Sequence, residues 1–416
     1  MLFNKDRAAE YMRRWDVDVV VATSPVNITY FSDYFCWIDP LFKEYMMVPG
    51  ASSDLAQKYA VFPLESESAL VVGPEFATNA ADLWVRDLHI FGGPLLDDSL
   101  TPTRLPDAHQ RVLNRLRQPQ QNATPTDALL SILKARGLTD ARIGLEMEGL
   151  IPTLKTEIVE ALPRATLKDC SDLIRLIRMV KTEEELARLT RAAEISEHAA
   201  MESLALARPG RPIAEAIQRY RAQVAEAGAD FDHFMFGVRG LGFAVERDYV
   251  LTDDDLLYVD FGCIYQHYFS DSGTTLAMRE PSAILRDKHA ALRECVVEAA
   301  NRIQPGVKAS GVRDAMWRTL NAHGITASFP HGHGMGLEVR DYPIIVADNG
   351  GRIRDDCVDV PSNLPLETNM VINLEAMTFL PGVASPHIEQ SFVVTADGSR
   401  PLVPQDRTRP VQAVAL

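Results

Sequence analysis

Two textures of apolar and polar positions follow one another along this chain. The opening segment MLFNKDRAAEYMRRW is charged and amphipathic and predicts a helix, and residues 17–23 (VDVVVAT) are a short β-branched run suited to a buried strand, closed by the turn chemistry of SPVN. Further strands are expected at 59–62, 69–72 and 142–145 (RIGL), with helices starting at Thr124-Pro125 (TDALLSILKARG) and near Pro152. GPLLDDSLTPTRLPD and RQPQQNATPTD between them read as surface loops. Strand and helix alternate up to about residue 172, which predicts a mixed or parallel sheet covered by helices.

The second texture begins near Asp172. Thr182 to Glu185 matches a capping box ahead of a helical periodicity through Leu186, Leu189, Ala193 and Ser196–Ala200, and another helix is expected at 213–227. From Leu256 onward LLYVDFGC, YFSDSGTTLAM, MVINLEAM and HIEQSFVVT read as strands, with helices near 282–304 and 310–323 between them. The chain is therefore expected to be an α/β domain over 1–172 followed by an α+β domain over 173–416. Length supports two units, since one hydrophobic core stops growing at about 250–300 residues and this chain has 416.

Composition narrows the function classes. With 46% hydrophobic and 24% charged residues the chain is a folded protein, and its net charge of −15 argues against nucleic acid or an anionic membrane surface as partner. No apolar run is long enough for a membrane helix, and the N-terminus lacks the core of a secretory peptide. Five scattered cysteines without a C-x-x-C pair read as reduced thiols, so a cytoplasmic location is expected.

Candidate chemistry lies in the strands. Asp260 interrupts an apolar strand, where an unpaired carboxylate costs several kcal/mol and calls for a partner or a metal. Asp271 follows at a distance compatible with the facing strand of a hairpin. Period-two alternation puts Val371, Asn373 and Glu375 on one face of MVINLEAM, and His387 with Glu389 on one face of SPHIEQSF. Each acid alone reads more readily as a capped or salt-bridged residue than as a ligand. Together with one histidine from FPHGHGMGLEVRDYP, the four carboxylates would balance two divalent cations, and oxygen-rich ligation with one nitrogen suits manganese, iron, cobalt or zinc.

These residues and their surroundings resemble the pita-bread metallohydrolase family of methionine aminopeptidase, Xaa-Pro aminopeptidase, prolidase and creatinase. YVDFG, SDSGTT, HGHGMGLEV, NLEAM and SPHIEQS are similar to its metal-ligand segments, VVVATSPVNITYFSDYFC to the creatinase-like N-terminal domain, and LIRLIRMVKTEEELARLTRAAEI to the helix opening the catalytic domain. The resemblance implies that Asp260 binds one metal, that His333 and Glu375 bind the other, that Asp271 and Glu389 bridge, and that Glu375 moves the proton. It makes His331 a neighbour that supports the ligands by hydrogen bonding. It also implies a homodimer in which a loop carrying Tyr34 and Trp37 reaches the partner's site, although these aromatics read equally as packing of an interdomain seam.

The departures from the family pattern bear on substrate. The histidine expected ahead of the first aspartate is absent from RGLGFAVERDYV, Arg340-Asp341 stands where a second histidine is expected, Ala376 replaces a proline, and His387 replaces an arginine. Arg340 offers a cationic fork to an anionic or zwitterionic substrate, or else pairs with Asp341 or another nearby acid. The expected activity is hydrolysis of a C–N bond in a dipeptide of Xaa-Pro type or a small zwitterion. The alternatives are a lyase or ring hydrolase acting on an osmolyte, of the dimethylsulfoniopropionate lyase or ectoine hydrolase kind, with Asp341 as proton acceptor in the lyase, and a non-catalytic binding protein that keeps the fold.

Overall fold

The computed structural model describes residues 1–39, 56–92, 96–97, 99–100, 104–118, 122–244, 248–407 and 410–412, and the elements and counts below are those of the described residues. Parts of both expected surface loops, and the aromatic stretch beyond Asp39, lie outside them. The chain divides into two compact units, Met1–Arg178 with Ile353–Val360, and Met179–Arg352 with Pro361–Leu416.

In the first unit the order is α1 (Lys5–Arg14), β1 (Val19–Ala22), α2 (Pro25–Ser32), β2 (Tyr59–Pro63), β3 (Ala69–Val72), β4 (Asp87–Ile90), α3 (Asp107–Arg117), α4 (Pro125–Ala135), β5 (Arg142–Leu145), α5 (Pro152–Ala161), β6 (Thr166–Asp169) and α6 (Ser171–Arg178). The sheet runs β4-β3-β2-β1-β5-β6 and is mixed: β1 is antiparallel to β2 and parallel to β5. Every residue of β1 is buried, as for a strand covered on both faces. SPVN is a helix start rather than a turn, because Ser24 accepts from the Asn27 N–H and Pro25 sits in the first turn, where its missing N–H costs nothing. Helix α6 spans the expected 172–173 boundary and lies whole in this unit. Its Asp172 and Leu173 N–H groups donate to Asp355, on the returning segment, at 2.8 and 3.0 Å.

The second unit holds α7 (Glu183–Leu204), α8 (Ala214–Glu226), β7 (Asp230–Gly237), β8 (Phe243–Ala244), β9 (Leu256–Tyr265), β10 (Tyr268–Phe269), β11 (Ser272–Ala277), α9 (Ala283–Arg302), α10 (Ala309–Ala322), β12 (His331–Gly334), β13 (Asp341–Ile345), β16 (Val371–Met377), β17 (His387–Val394), β18 (Ser399–Pro401) and β19 (Val411–Gln412), while the short ribbon of β14 (Arg352–Arg354) and β15 (Asp359–Pro361) brackets the returning segment. Thr182 and Glu185 cap α7 reciprocally, each side chain accepting from the other's backbone N–H. The main path of the sheet is β13-β12-β16-β17-β11-β9-β7-β8.

Alternation decides what each face of that sheet carries. Leu257, Val259, Phe261 and Cys263 of β9 join the core packed by α7 and α8, each large apolar side chain contributing about 1.5–3 kcal/mol on burial, and α9 covers β16 and β17. Tyr258, Asp260 and Gly262 therefore point to the opposite face. The helices hold the sheet rigid from behind, and the polar residues converge in front.

Candidate metal centre

The strand ladder brings the acids together. Asp260 stands opposite Gly273 across the β9–β11 hairpin, Glu375 stands opposite Glu389 in β16–β17, and β12 sets His331 opposite Glu375 and His333 opposite Asn373. Ligand atoms of Asp271, His333 and Glu389 lie within 4.8 Å of one another, and so do those of His233, Asp260 and Asp271. Asp260, Asp271, Glu375 and Glu389 are all buried.

Four carboxylates so close repel one another when ionised, and burial and their neighbours pull each of them in opposite directions. Burial and the charge of Asp271 push Asp260 up, against hydrogen bonding from His233. Burial, then the charges of Asp271, Asp260 and Glu375, push Glu389 well above the carboxylate range. Burial also opposes ionisation of Asp271 and Glu375, but the neighbouring imidazoles, His233 and His333 at the first and His331 and His387 at the second, outweigh it and hold both low. Two acids are thus ionised at neutral pH, and the other two resist ionisation.

Two observations show that a divalent cation fits here. Glu389 Oε2 is buried without a hydrogen-bond partner, although Oε1 accepts from Asn373 at 2.7 Å. His333 Nδ1 lies 2.9 Å from the Gly334 carbonyl, so it carries the proton and leaves Nε2 as the lone pair turned to the cluster, 3.4 Å from Asp271 Oδ2. A set of carboxylate oxygens with an imidazole nitrogen suits a divalent transition metal.

Glycines make the room. A Cβ on Gly273 would meet His387 Cε1 at 2.0 Å and Glu389 Oε2 at 2.8 Å. Gly273→Ala is therefore expected to weaken metal binding at least about tenfold by displacing those groups; calorimetric titration with Mn²⁺, beside a melt of the metal-free protein, measures it.

The other expected site residues are placed as follows. His387 donates from Nδ1 to the Val259 carbonyl at 3.1 Å and turns Nε2 to Glu375 at 3.3 Å, its ring stacked 3.8 Å from that of Tyr258. His331 lies between the Phe329 carbonyl (Nδ1, 3.0 Å) and Glu375 (Nε2, 2.9 Å). Burial works against its charge, but the bond to Glu375 prevails and raises its pKa. Arg340 is exposed, with Nη2 3.4 Å from His331 Nε2.

Asp341 does not pair with Arg340 among the described residues; its carboxylate is buried 3.4 Å from Lys181 Nζ, with both side chains 1% exposed. The lysine lies 160 residues away in sequence, so adjacency to Arg340 was no guide. In the first unit Tyr34 is buried and Trp37 is exposed, and most of the loop that carries them lies outside the described residues.

Two residues escaped the sequence reading. Tyr258 lies 2.9 Å from Glu375 Oε1 and 3.0 Å from Asp260 Oδ2, and burial, then the neighbouring Asp260 charge, raise its pKa and keep it a neutral donor. It shares a face with Asp260 two residues on, so alternation alone would have found it. His233, on β7, lies 2.8 Å from Asp260 Oδ1. Its strand, DFDHFMFG, was not expected.

A helix-backed sheet thus gathers acids and imidazoles in a set that suits a divalent metal ion. The sequence pattern of metallopeptidase family M24 matches residues 187–396, half of the chain, and the chain belongs to that family. It is 26% identical over 261 residues to an uncharacterized peptidase of Staphylococcus aureus (strain USA300), covering 61% of this chain and 71% of that protein. It is 26% identical over 275 residues to the Xaa-Pro dipeptidase of Pyrococcus horikoshii, covering 64% and 75%. Among solved structures, the X-Pro aminopeptidase of Thermotoga maritima superposes with a TM-score of 0.72 over 96% of this chain and 98% of that one at 20% identity, and a dipeptidase of P. horikoshii with 0.73 over 99% of each at 16%. At those identities the likeness speaks for fold: a creatinase-like N-terminal domain and a pita-bread catalytic domain. No helix among the described residues is long and apolar enough to cross a membrane.

Proposed function

We propose that this chain is a dinuclear metal-dependent hydrolase that cleaves the C–N bond of a small substrate bearing a carboxylate, an Xaa-Pro dipeptide or a comparable zwitterion. The observation that carries the reading is the buried set Asp260, Asp271, His333, Glu375 and Glu389, with Glu389 Oε2 accepting no hydrogen bond among the described residues. These five residues would hold two divalent ions, of manganese, iron, cobalt or zinc. Such ions make water nucleophilic at neutral pH and polarise a carbonyl. The 26% identity to a named Xaa-Pro dipeptidase supports the same bond type.

The chain's own groups do the rest. Glu375, held low and fixed by Tyr258 and His331, with His387 Nε2 3.3 Å away, is the base that takes a proton from the attacking water on a carboxylate oxygen and passes it to the leaving nitrogen. Arg340 lies beside His331, whose Nε2 is already engaged by Glu375, and no carboxylate pairs with the guanidinium among the described residues. It is the group to receive the substrate carboxylate.

Chromatography with mass spectrometry tests the reading, using Mn²⁺-loaded protein, Xaa-Pro dipeptides and the same dipeptides with a C-terminal amide. Cleavage of the acids but not the amides is expected; no C–N cleavage of any panel member would refute the reading. Arg340→Ala should raise KM for the acid substrate about ten- to a hundredfold with kcat little changed, the pattern of lost uniform binding. Light scattering is expected to give a homodimer, and the five free buried cysteines suit a reducing cytoplasm. An elimination would use Asp341 as its proton acceptor, and the ion pair of that carboxylate with Lys181 favours the hydrolytic reading over it.

A further inference from the structure

We propose that His233 is a sixth protein ligand of this centre, presenting Nε2 to the metal ion held by Asp260 and Asp271, with Asp232 fixing the ring from behind. The inference rests on the metal-centre reading above and adds a second imidazole to it.

The backbone aims the residue. Pairing between β7 and β9 shifts register between Phe231 and His233, and an extra residue at such a bulge redirects the side chain that follows. The redirected imidazole lies over Gly262, where a Cβ would come within 2.5 Å of its Cε1 and 2.8 Å of its Nδ1. Gly262 and Gly273 thus play matching parts on the two strands of the hairpin. One leaves room for His233, and the other for His387.

The geometry at the ring is that of a ligand. Nε2 is 2.8 Å from Asp260 Oδ1 and 3.5 Å from Asp271 Oδ1, and these ligand atoms lie within 4.8 Å of one another. Nδ1 is 2.7 Å from Asp232 Oδ2. A metal-ligating histidine characteristically donates its other N–H to a carboxylate, which fixes the tautomer and raises the basicity of the ligating nitrogen. A histidine serving only as counter-ion to Asp260 needs no such second carboxylate, which would add a negative charge to a site already crowded with them.

The placement also sets the kind of metal. Asp271 is flanked by His333 on one side and His233 on the other, so each half of the centre would offer one nitrogen among its oxygens. Imidazole in both positions favours cobalt, iron or zinc over magnesium or calcium in both sites. The ring meets the centre at Asp260 and Asp271, so its effect falls on the site that Asp260 holds.

The experiment compares full-length wild type, His233→Gln and Asp232→Asn, each stripped and titrated with Co²⁺, followed by calorimetry and by the visible d–d absorption. Wild type is expected to take up two ions. His233→Gln should lose one of them or bind it about 10–100-fold more weakly, with a changed visible spectrum, and Asp232→Asn should keep both while weakening the same site about tenfold or more. Two ions bound by His233→Gln with wild-type affinity and spectrum would overturn the inference and leave the metal centre standing. Well under one ion in wild type would instead bring down the metal-centre reading. Circular dichroism melts of the stripped proteins control for folding. If His233→Gln does not fold, Asp232→Asn decides, and an unchanged affinity and spectrum in that variant overturns the proposal.

Discussion

Asp271→Asn and Glu389→Gln should each leave the protein with less than about one metal ion per chain after reconstitution, and should lower kcat/KM by about a thousandfold or more. Both substitutions keep side-chain volume and remove one negative charge, so a loss reads as electrostatic rather than steric. Asp271 is the carboxylate shared by both clusters of ligand atoms, and both a nitrogen of His333 and one of His233 face it. Glu389 has the orphaned oxygen and the strongest resistance to ionisation, from burial and three neighbouring acids. Protons therefore compete with a metal ion for Glu389, whose ionisation burial and its neighbours oppose. Metal occupancy should accordingly fall as the pH is lowered and protons compete for the carboxylates, and Glu389→Gln should flatten that dependence. Elemental analysis after gel filtration at each pH gives the occupancies. Full occupancy and turnover in either variant would remove the residue from the centre.

The strands that carry the acids were legible because their period is two and their runs are apolar. YVDFG, NLEAM and HIEQS each show a charged residue among buried ones, and alternation put Asn373 with Glu375 and His387 with Glu389, as the ladder does. The helix starts were legible where the cap chemistry is local, at Thr124 and Thr182. SPVN failed for a related reason: Ser and Pro favour turns and helix starts alike, and only the chain beyond them decides.

What stayed hidden depends on distant pairing. β12 is HGHG, a sequence without strand propensity, and it is a strand because β13 and β16 flank it. His233 sits on a strand whose bulge cannot be read from one chain segment, because a bulge is a property of a pair. The cap that Asp355 places on α6 and the ion pair between Lys181 and Asp341 likewise join residues that local spacing cannot relate. The local motifs named the acids of the site. His233 beside them, and Lys181 behind Asp341, come from the tertiary structure.

Lys181→Met should destabilise the protein by about 3–5 kcal/mol, because it strands a carboxylate in the interior; for a unit of this size that lowers the melting temperature by roughly 6–20 °C. The ammonium and the Asp341 carboxylate are 3.4 Å apart with both side chains 1% exposed. Each has further support: Lys181 Nζ lies 3.4 Å from the Met179 carbonyl, and Asp341 Oδ1 accepts from the Tyr342 N–H at 3.0 Å. Removing both charges at once, in Lys181→Met with Asp341→Leu, should recover most of the loss, since a well-packed apolar pair of similar volume avoids the desolvation of two ions. The pair also holds the start of β13, immediately after Arg340, so it fixes where the guanidinium emerges beside His331. Below its melting temperature Lys181→Met should therefore keep kcat and raise KM for acid substrates, as Arg340→Ala does. Asp341→Asn separates this role from proton abstraction: a structural acid predicts a lower melting temperature with kcat retained, whereas a catalytic base predicts an unchanged melt and no turnover.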